Sequence, residues 1–126
     1  MVVVTRFTVA EGEAAGFQKQ AAEALTALAE RPGFVAGRAC RAMDEPTAWL
    51  LITEWESVGA WRRALGGFDV KMKATPLLAR SHDEPSAFED LVVTVAGGQV
   101  EVVSDRAADA DTVGIGEAAG PSVLAE

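Results

Sequence analysis

The sequence predicts an α+β domain with its elements in the order βαββαβ, followed by a C-terminal hairpin or arm. Three observations carry this. Residues 2–9 are a β-branched run, residues 13–31 are Ala-rich with an apolar stripe, and two strand-like segments flank Asp44-Glu45-Pro46-Thr47. The 126 residues suit one ordinary domain. At 49% apolar and 24% charged they can build a core.

Residues 2–9 read as a strand buried on both faces. In residues 13–31, Phe17, Ala21, Leu25 and Leu28 step by four, four and three, which is one stripe of an amphipathic helix. Arg31-Pro32-Gly33 ends it, because Pro cannot continue a helix and Gly permits a turn. Residues 34–43 and 48–56 read as a hairpin around the Asp-Glu-Pro-Thr turn. Ser57 can cap a helix over 58–65, broken by Gly66-Gly67; a further helical piece spans 69–75 and stops at Pro76. Residues 77–82 read as a short fourth strand, and Asp83-Glu84-Pro85 as another turn. This order is the ferredoxin-like split βαβ: one four-stranded antiparallel sheet with helices on one face. Residues 91–96 and 99–103 flank Gly97-Gly98, a hairpin signal. Beyond Ser104 no periodicity is found, and a mobile tail is expected.

Charge divides the chain. Residues 1–93 carry 13 acidic and 10 basic side chains; residues 94–126 carry six and one. A domain boundary is therefore expected near residue 93, with an acidic extension over 94–126. On strand 48–56, Trp49, Leu51, Thr53 and Trp55 share one face and Leu50, Ile52, Glu54 and Glu56 the other. Both faces are apolar at their centres, and one helical layer cannot bury both. A homodimer with its sheets packed together follows as an expectation.

Composition also excludes. A net charge of −8 disfavours nucleic acid and anionic membrane as partners, since phosphates are bound by Lys and Arg. One Cys excludes an internal disulfide and any Cys-rich zinc site, and one His argues against a His-based catalytic triad or metal cluster. No apolar run reaches the ~20 residues of a membrane span, and no signal-peptide pattern opens the chain, so a cytoplasmic location is expected. Gly114, Gly116 and Gly120 imitate a dinucleotide fingerprint, but the third Gly is one residue late and no strand-to-helix context surrounds them. No cofactor or metal motif is found, and neither is expected.

Trp55 ends a strand and Trp61 lies on the following helix, so both rings can approach one cavity between sheet and helix. An indole offers a flat apolar face and one N–H donor, which suits a planar aromatic ligand bearing oxygen; both could equally be core aromatics. Arg38, Arg41, Arg62 and Arg80 could orient an anionic or phenolic ligand or serve as surface charges. Arg38 and Arg41 point to opposite faces, so only one can meet a pocket. His82 is a candidate general base or a turn residue, and Cys40 reads as a small buried hydrophobe.

The element order, the Arg31-Pro32-Gly33-Phe34 helix exit and the Glu54-Trp55-Glu56-Ser57 strand exit resemble the antibiotic biosynthesis monooxygenase (ABM) family. Residues 49–65, WLLITEWESVGAWRRAL, carry most of the resemblance, which covers about residues 1–93. It implies a dimeric ferredoxin-like fold. One branch of the family oxidises anthrone-like polyketides with O2 and no metal or flavin. That branch has a Trp in the position of Trp55, an Asn where Leu51 stands, a Tyr where Trp61 stands, and an Arg near which Lys71, Lys73 and Arg80 are the available bases. A haem-degrading branch needs a Trp and a His where Ala64 and Ala74 stand, and an Asn on the first strand; this chain has no Asn. The resemblance thus implies a cofactor-independent monooxygenase acting on a small phenol, quinol or anthrone-like molecule. The alternative is a non-catalytic dimeric module of the same fold. The residues implied are Trp55 and Arg80 for catalysis and Trp61, Leu51, Trp49, Arg38 and His82 for substrate binding.

Overall fold

The computed structural model describes residues 1–104. The tail expected beyond Ser104 lies outside them. Two compact units are present, Met1–Phe88 and a second beginning at Glu89, so the division falls before the 91–104 hairpin.

In the first unit, β1 (Val2–Thr8) buries Val3, Thr5 and Phe7 and leaves Val2 and Val4 half-buried. A 3-10 turn (Glu11–Glu13) leads into α1 (Ala14–Ala29). Helix α1 buries Phe17, Ala21, Ala24, Ala27 and Leu28. Its alanines lose no side-chain entropy and let the helix lie close on the sheet. β2 (Phe34–Arg41) and β3 (Ala48–Trp55) pair antiparallel, with Val35 bulged out between Phe34 and Ala36. The bulge returns Phe34 to the face of Trp55, where the two rings meet edge-on at 5.2 Å. β1 adds antiparallel to the other side of β3, with Phe7 opposite Trp49 and Val3 opposite Thr53.

Three short helices follow: α2 (Val58–Ala64), α3 (Phe68–Lys73) and α4 (Thr75–Leu78). Residues 77–82 are not the fourth strand. Pro76 does not end a helix; it lies in the first turn of α4, where its missing N–H has no partner to lose and its fixed φ suits the helix. Leu77 is buried in the core instead of alternating on a sheet. The fourth strand is β4 (Ala87–Phe88), two residues that the sequence reading left beside a turn; it pairs antiparallel with Val2 and Val3. The sheet order is β2-β3-β1-β4, all neighbours antiparallel, and the ferredoxin-like fold stands.

The core lies between the sheet and the helices. Phe7, Val9, Leu28 and Val70 are its most deeply buried large side chains, each worth ~1.5–3 kcal/mol in transfer from water. The opposite sheet face carries Val2, Val4, Leu50, Ile52 and Cys40, all half-buried, with Arg6, Arg38 and Glu54 exposed around them.

In the second unit, β5 (Val92–Val95) and β6 (Gly98–Glu101) form a hairpin. Val95 pairs with Gly98, so the two-residue loop is Ala96-Gly97, one residue earlier than the Gly-Gly reading. Gly97 has φ +91°, and of the Gly97-Gly98 pair only it demands glycine.

Candidate functional site

Helix α2 begins at a true cap: the Ser57 hydroxyl accepts the Ala60 N–H at 3.0 Å. This fixes the exit angle from β3 and sets Trp61 half-buried over the end of the strand. Beneath it, Trp55 is 2% exposed. The two indoles stand 5.7 Å apart at 53°. The strand end is anchored on both sides of the peptide: the Trp55 backbone N–H donates to the Met1 carbonyl at 2.9 Å, and the Met1 ammonium donates to the Trp55 carbonyl at 3.0 Å.

Trp61 forms one wall of an open cleft of about 710 Å³. Leu65 extends that wall, Lys71 and Thr75 come from α3 and α4, and Leu78 and Ala79 complete the apolar side. Thr5 on β1 and the serines Ser81 and Ser86 add hydroxyls. Two of those are engaged: Thr5 Oγ1 donates to the Leu51 carbonyl at 3.3 Å, and Ser81 Oγ to the Leu78 carbonyl at 2.7 Å. The surface is mostly apolar with a few polar atoms, as small-molecule sites are.

The structure gathers part of the expected site and scatters the rest. Trp55 and Trp61 are together, but only Trp61 lines the cleft. The Trp55 N–H donates to Thr53 Oγ1 at 2.8 Å, because residues two apart on a strand share a face. It is therefore committed within the core. Leu51 is 3% exposed, directly opposite Thr5, and presents no polar side-chain atom. Trp49 lies at the far end of β3, edge-on to Phe17 at 5.1 Å and under the Arg41 guanidinium at 5.4 Å. It borders a separate groove of about 340 Å³ with Gln18, Ala22 and Leu25.

Arg80 is not a cleft residue. Its Nη1 donates to Gln20 Oε1 at 2.9 Å, its guanidinium lies 5.6 Å from the Phe17 ring, and it borders a groove with Met72 and Pro76. The helical turn at 75–78, in place of the expected strand, swings it there. Arg38 pairs opposite Ile52 on the face of the sheet away from Trp55. His82 is exposed; its ring Nε2 is 2.9 Å from Thr8 Oγ1 and its backbone N–H donates to the Arg6 carbonyl at 2.8 Å. Among the described residues, no group of three or more His, Cys, Asp or Glu side chains converges as metal ligands do.

Thr5, Ser81 and Ser86 lie outside the expected site residues, and Lys71 is among them only as one of three bases near the position of the family branch's Arg. Reading 77–82 as a strand hid the cleft that α4 and the following turn create. The available signal was Pro76 immediately after Thr75, a first-turn proline.

The fold is that of a small ferredoxin-like α+β protein with an open, indole-walled cleft among its helices. The antibiotic biosynthesis monooxygenase family model matches residues 1–71, and the chain belongs to that family. Among solved structures it is similar to SnoaB, a cofactor-independent oxygenase from Streptomyces nogalater. The identity is 34% with a TM-score of 0.56, covering 64% of this chain and 82% of that one. A conserved protein from Methanosarcina mazei is 16% identical with a TM-score of 0.56, covering 68% of this chain and 84% of that one; it supports the fold alone. No curated protein matches. Among the described residues no helix is long and apolar enough to cross a membrane.

Proposed function

We propose that this chain is a cofactor-independent monooxygenase of the cytoplasm. It acts with O2 on a small phenol, quinol or anthrone-like molecule seated against Trp61. The observation that carries the reading is the open apolar cleft beside Trp61 in a chain 34% identical to a cofactor-independent oxygenase. In such a reaction the substrate is its own reductant. With an anthrone-like substrate, the ring CH2 loses a proton, its carbanion passes an electron to O2, the two radicals join, and the protonated peroxide loses water to leave a carbonyl. One O2 is consumed, and one oxygen atom enters the product while the other leaves as water. The protein's part is to hold the ring in place and limit its exposure to water. Trp61 supplies the stacking face, and Trp55 and Thr53 fix the position of that face from below.

A second reading, a non-catalytic ligand-binding module, draws support from the committed Trp55 N–H and from the apolar Leu51. Oxygen-electrode measurements with a panel of anthrones and hydroquinones separate the two. Protein-dependent O2 uptake that falls at least tenfold in Trp61→Ala is the expected result. Uptake no faster than in buffer across the panel would discard the enzyme.

The half-buried apolar sheet face, with Phe88 45% exposed on its edge, supports a homodimer packed sheet to sheet. Light scattering is expected to give about twice 13.2 kDa; 13.2 kDa at all concentrations would rule the dimer out.

A further inference from the structure

We infer that Lys71 selects an aromatic carboxylate for the Trp61 cleft: a ligand whose ring lies on the indole and whose carboxylate meets the ammonium. This rests on the reading of the cleft as the ligand site. Among the described residues, Lys71 is the only charged one lining the cleft, and no carboxylate lines it. A neutral aromatic needs no cation at this wall, whereas an anionic one finds its counter-charge in Lys71.

The charge of Lys71 is also unspent. Its ammonium has no ion pair among the described residues. The neighbouring bases differ: Lys73 borders a groove with Glu23, Glu30 and Asp69, Arg6 pairs with Glu84 at 3.2 Å, and Arg80 is held by Gln20. Of these four bases, Lys71 alone borders a mainly apolar surface with no acid lining it among the described residues.

The ligand's anion is a carboxylate on grounds of strength. Lys71 is exposed, so water screens its field and an ion pair there is worth less than about tenfold in affinity. Ionising a phenol near pH 7 from an ordinary pKa of about 10 needs roughly 1,000-fold. Lys71 cannot supply that. It can recognise an oxygen that is already ionised, and a ring carboxylate is ionised well below neutral pH.

Calorimetric titration with 2-naphthoate and its neutral isostere 2-naphthamide tests this, in the wild-type chain and in Lys71→Gln and Lys71→Arg. Wild type is expected to prefer the naphthoate by about fivefold, with the preference lost in Lys71→Gln and retained in Lys71→Arg. Equal wild-type affinities for the two probes would overturn the role of Lys71 and leave the aromatic cleft standing. A preference surviving in Lys71→Gln would overturn it as well. If neither probe binds any variant, the cleft reading itself fails, and this inference with it.

Discussion

Gly33→Ala is expected to destabilise the domain by about 2–5 kcal/mol, enough to unfold much of the population of a marginal protein. Gly33 has φ +89°, in the region that costs other L-residues roughly 1–2 kcal/mol. A Cβ there would also run into the Ala60 side chain. Ala60 is 4% exposed and lies in the first turn of α2, so it cannot move aside without shifting the helix that carries Trp61. Overpacking of this kind adds about 1–3 kcal/mol. Urea denaturation followed by circular dichroism measures the loss. The double variant Gly33→Ala with Ala60→Gly should recover the steric part and leave the backbone part. A single variant within 0.5 kcal/mol of wild type, on the order of an ordinary surface change, would show that the turn relaxes freely.

Trp55→Ala is expected to cost about 3–5 kcal/mol, the range for emptying a large buried aromatic site. The ring is held edge-on by Phe34 and covered by Trp61, and its N–H satisfies a buried hydroxyl. Trp55→Phe keeps most of the packing and removes the hydrogen bond to Thr53, so about 1–2 kcal/mol should be lost. Trp61→Ala should cost less than Trp55→Ala, because Trp61 is only half-buried. Equilibrium unfolding of the three variants orders them; Trp61→Ala proving the most destabilising would reverse the assignment of core and cleft.

Trp55 also marks how far the sequence could be read. Its place at the end of a strand, six residues before Trp61 on a capped helix, follows from β-alternation and the Ser57 signal, and the structure sets the two rings together. The destination of its N–H was not legible. It depends on Thr53 having a free hydroxyl on the same face, and that competes with any ligand only when the residue is buried. The early elements were legible because their periodicity is long: eight residues in β3 and sixteen in α1. The stretch 75–88 was not, because four- and two-residue elements are too short for any period to register. There a single proline reads as a helix stop in the sequence and serves as a helix start in the fold. That stretch supplies Thr75, Leu78, Ala79, Ser81 and Ser86 to the cleft, so residues read as a strand conceal it, and Arg80, expected as a catalytic base, lies over Phe17.

The cleft is built from unequal materials. One side is a four-stranded sheet in which Thr5 is tied to Leu51 and buried. The other is a chain of helical turns of six and four residues ending in a loop. Variation is tolerated differently on the two sides. A change at Thr5 or Leu51 is paid in folding, since those side chains belong to the core. Changes at Lys71, Thr75 or Ala79, which are exposed, alter what the cleft meets while leaving the sheet untouched. Such a division lets one scaffold drift among ligands over evolutionary time, and it gives a protein engineer a small set of positions for a substrate-range library with little risk to the fold.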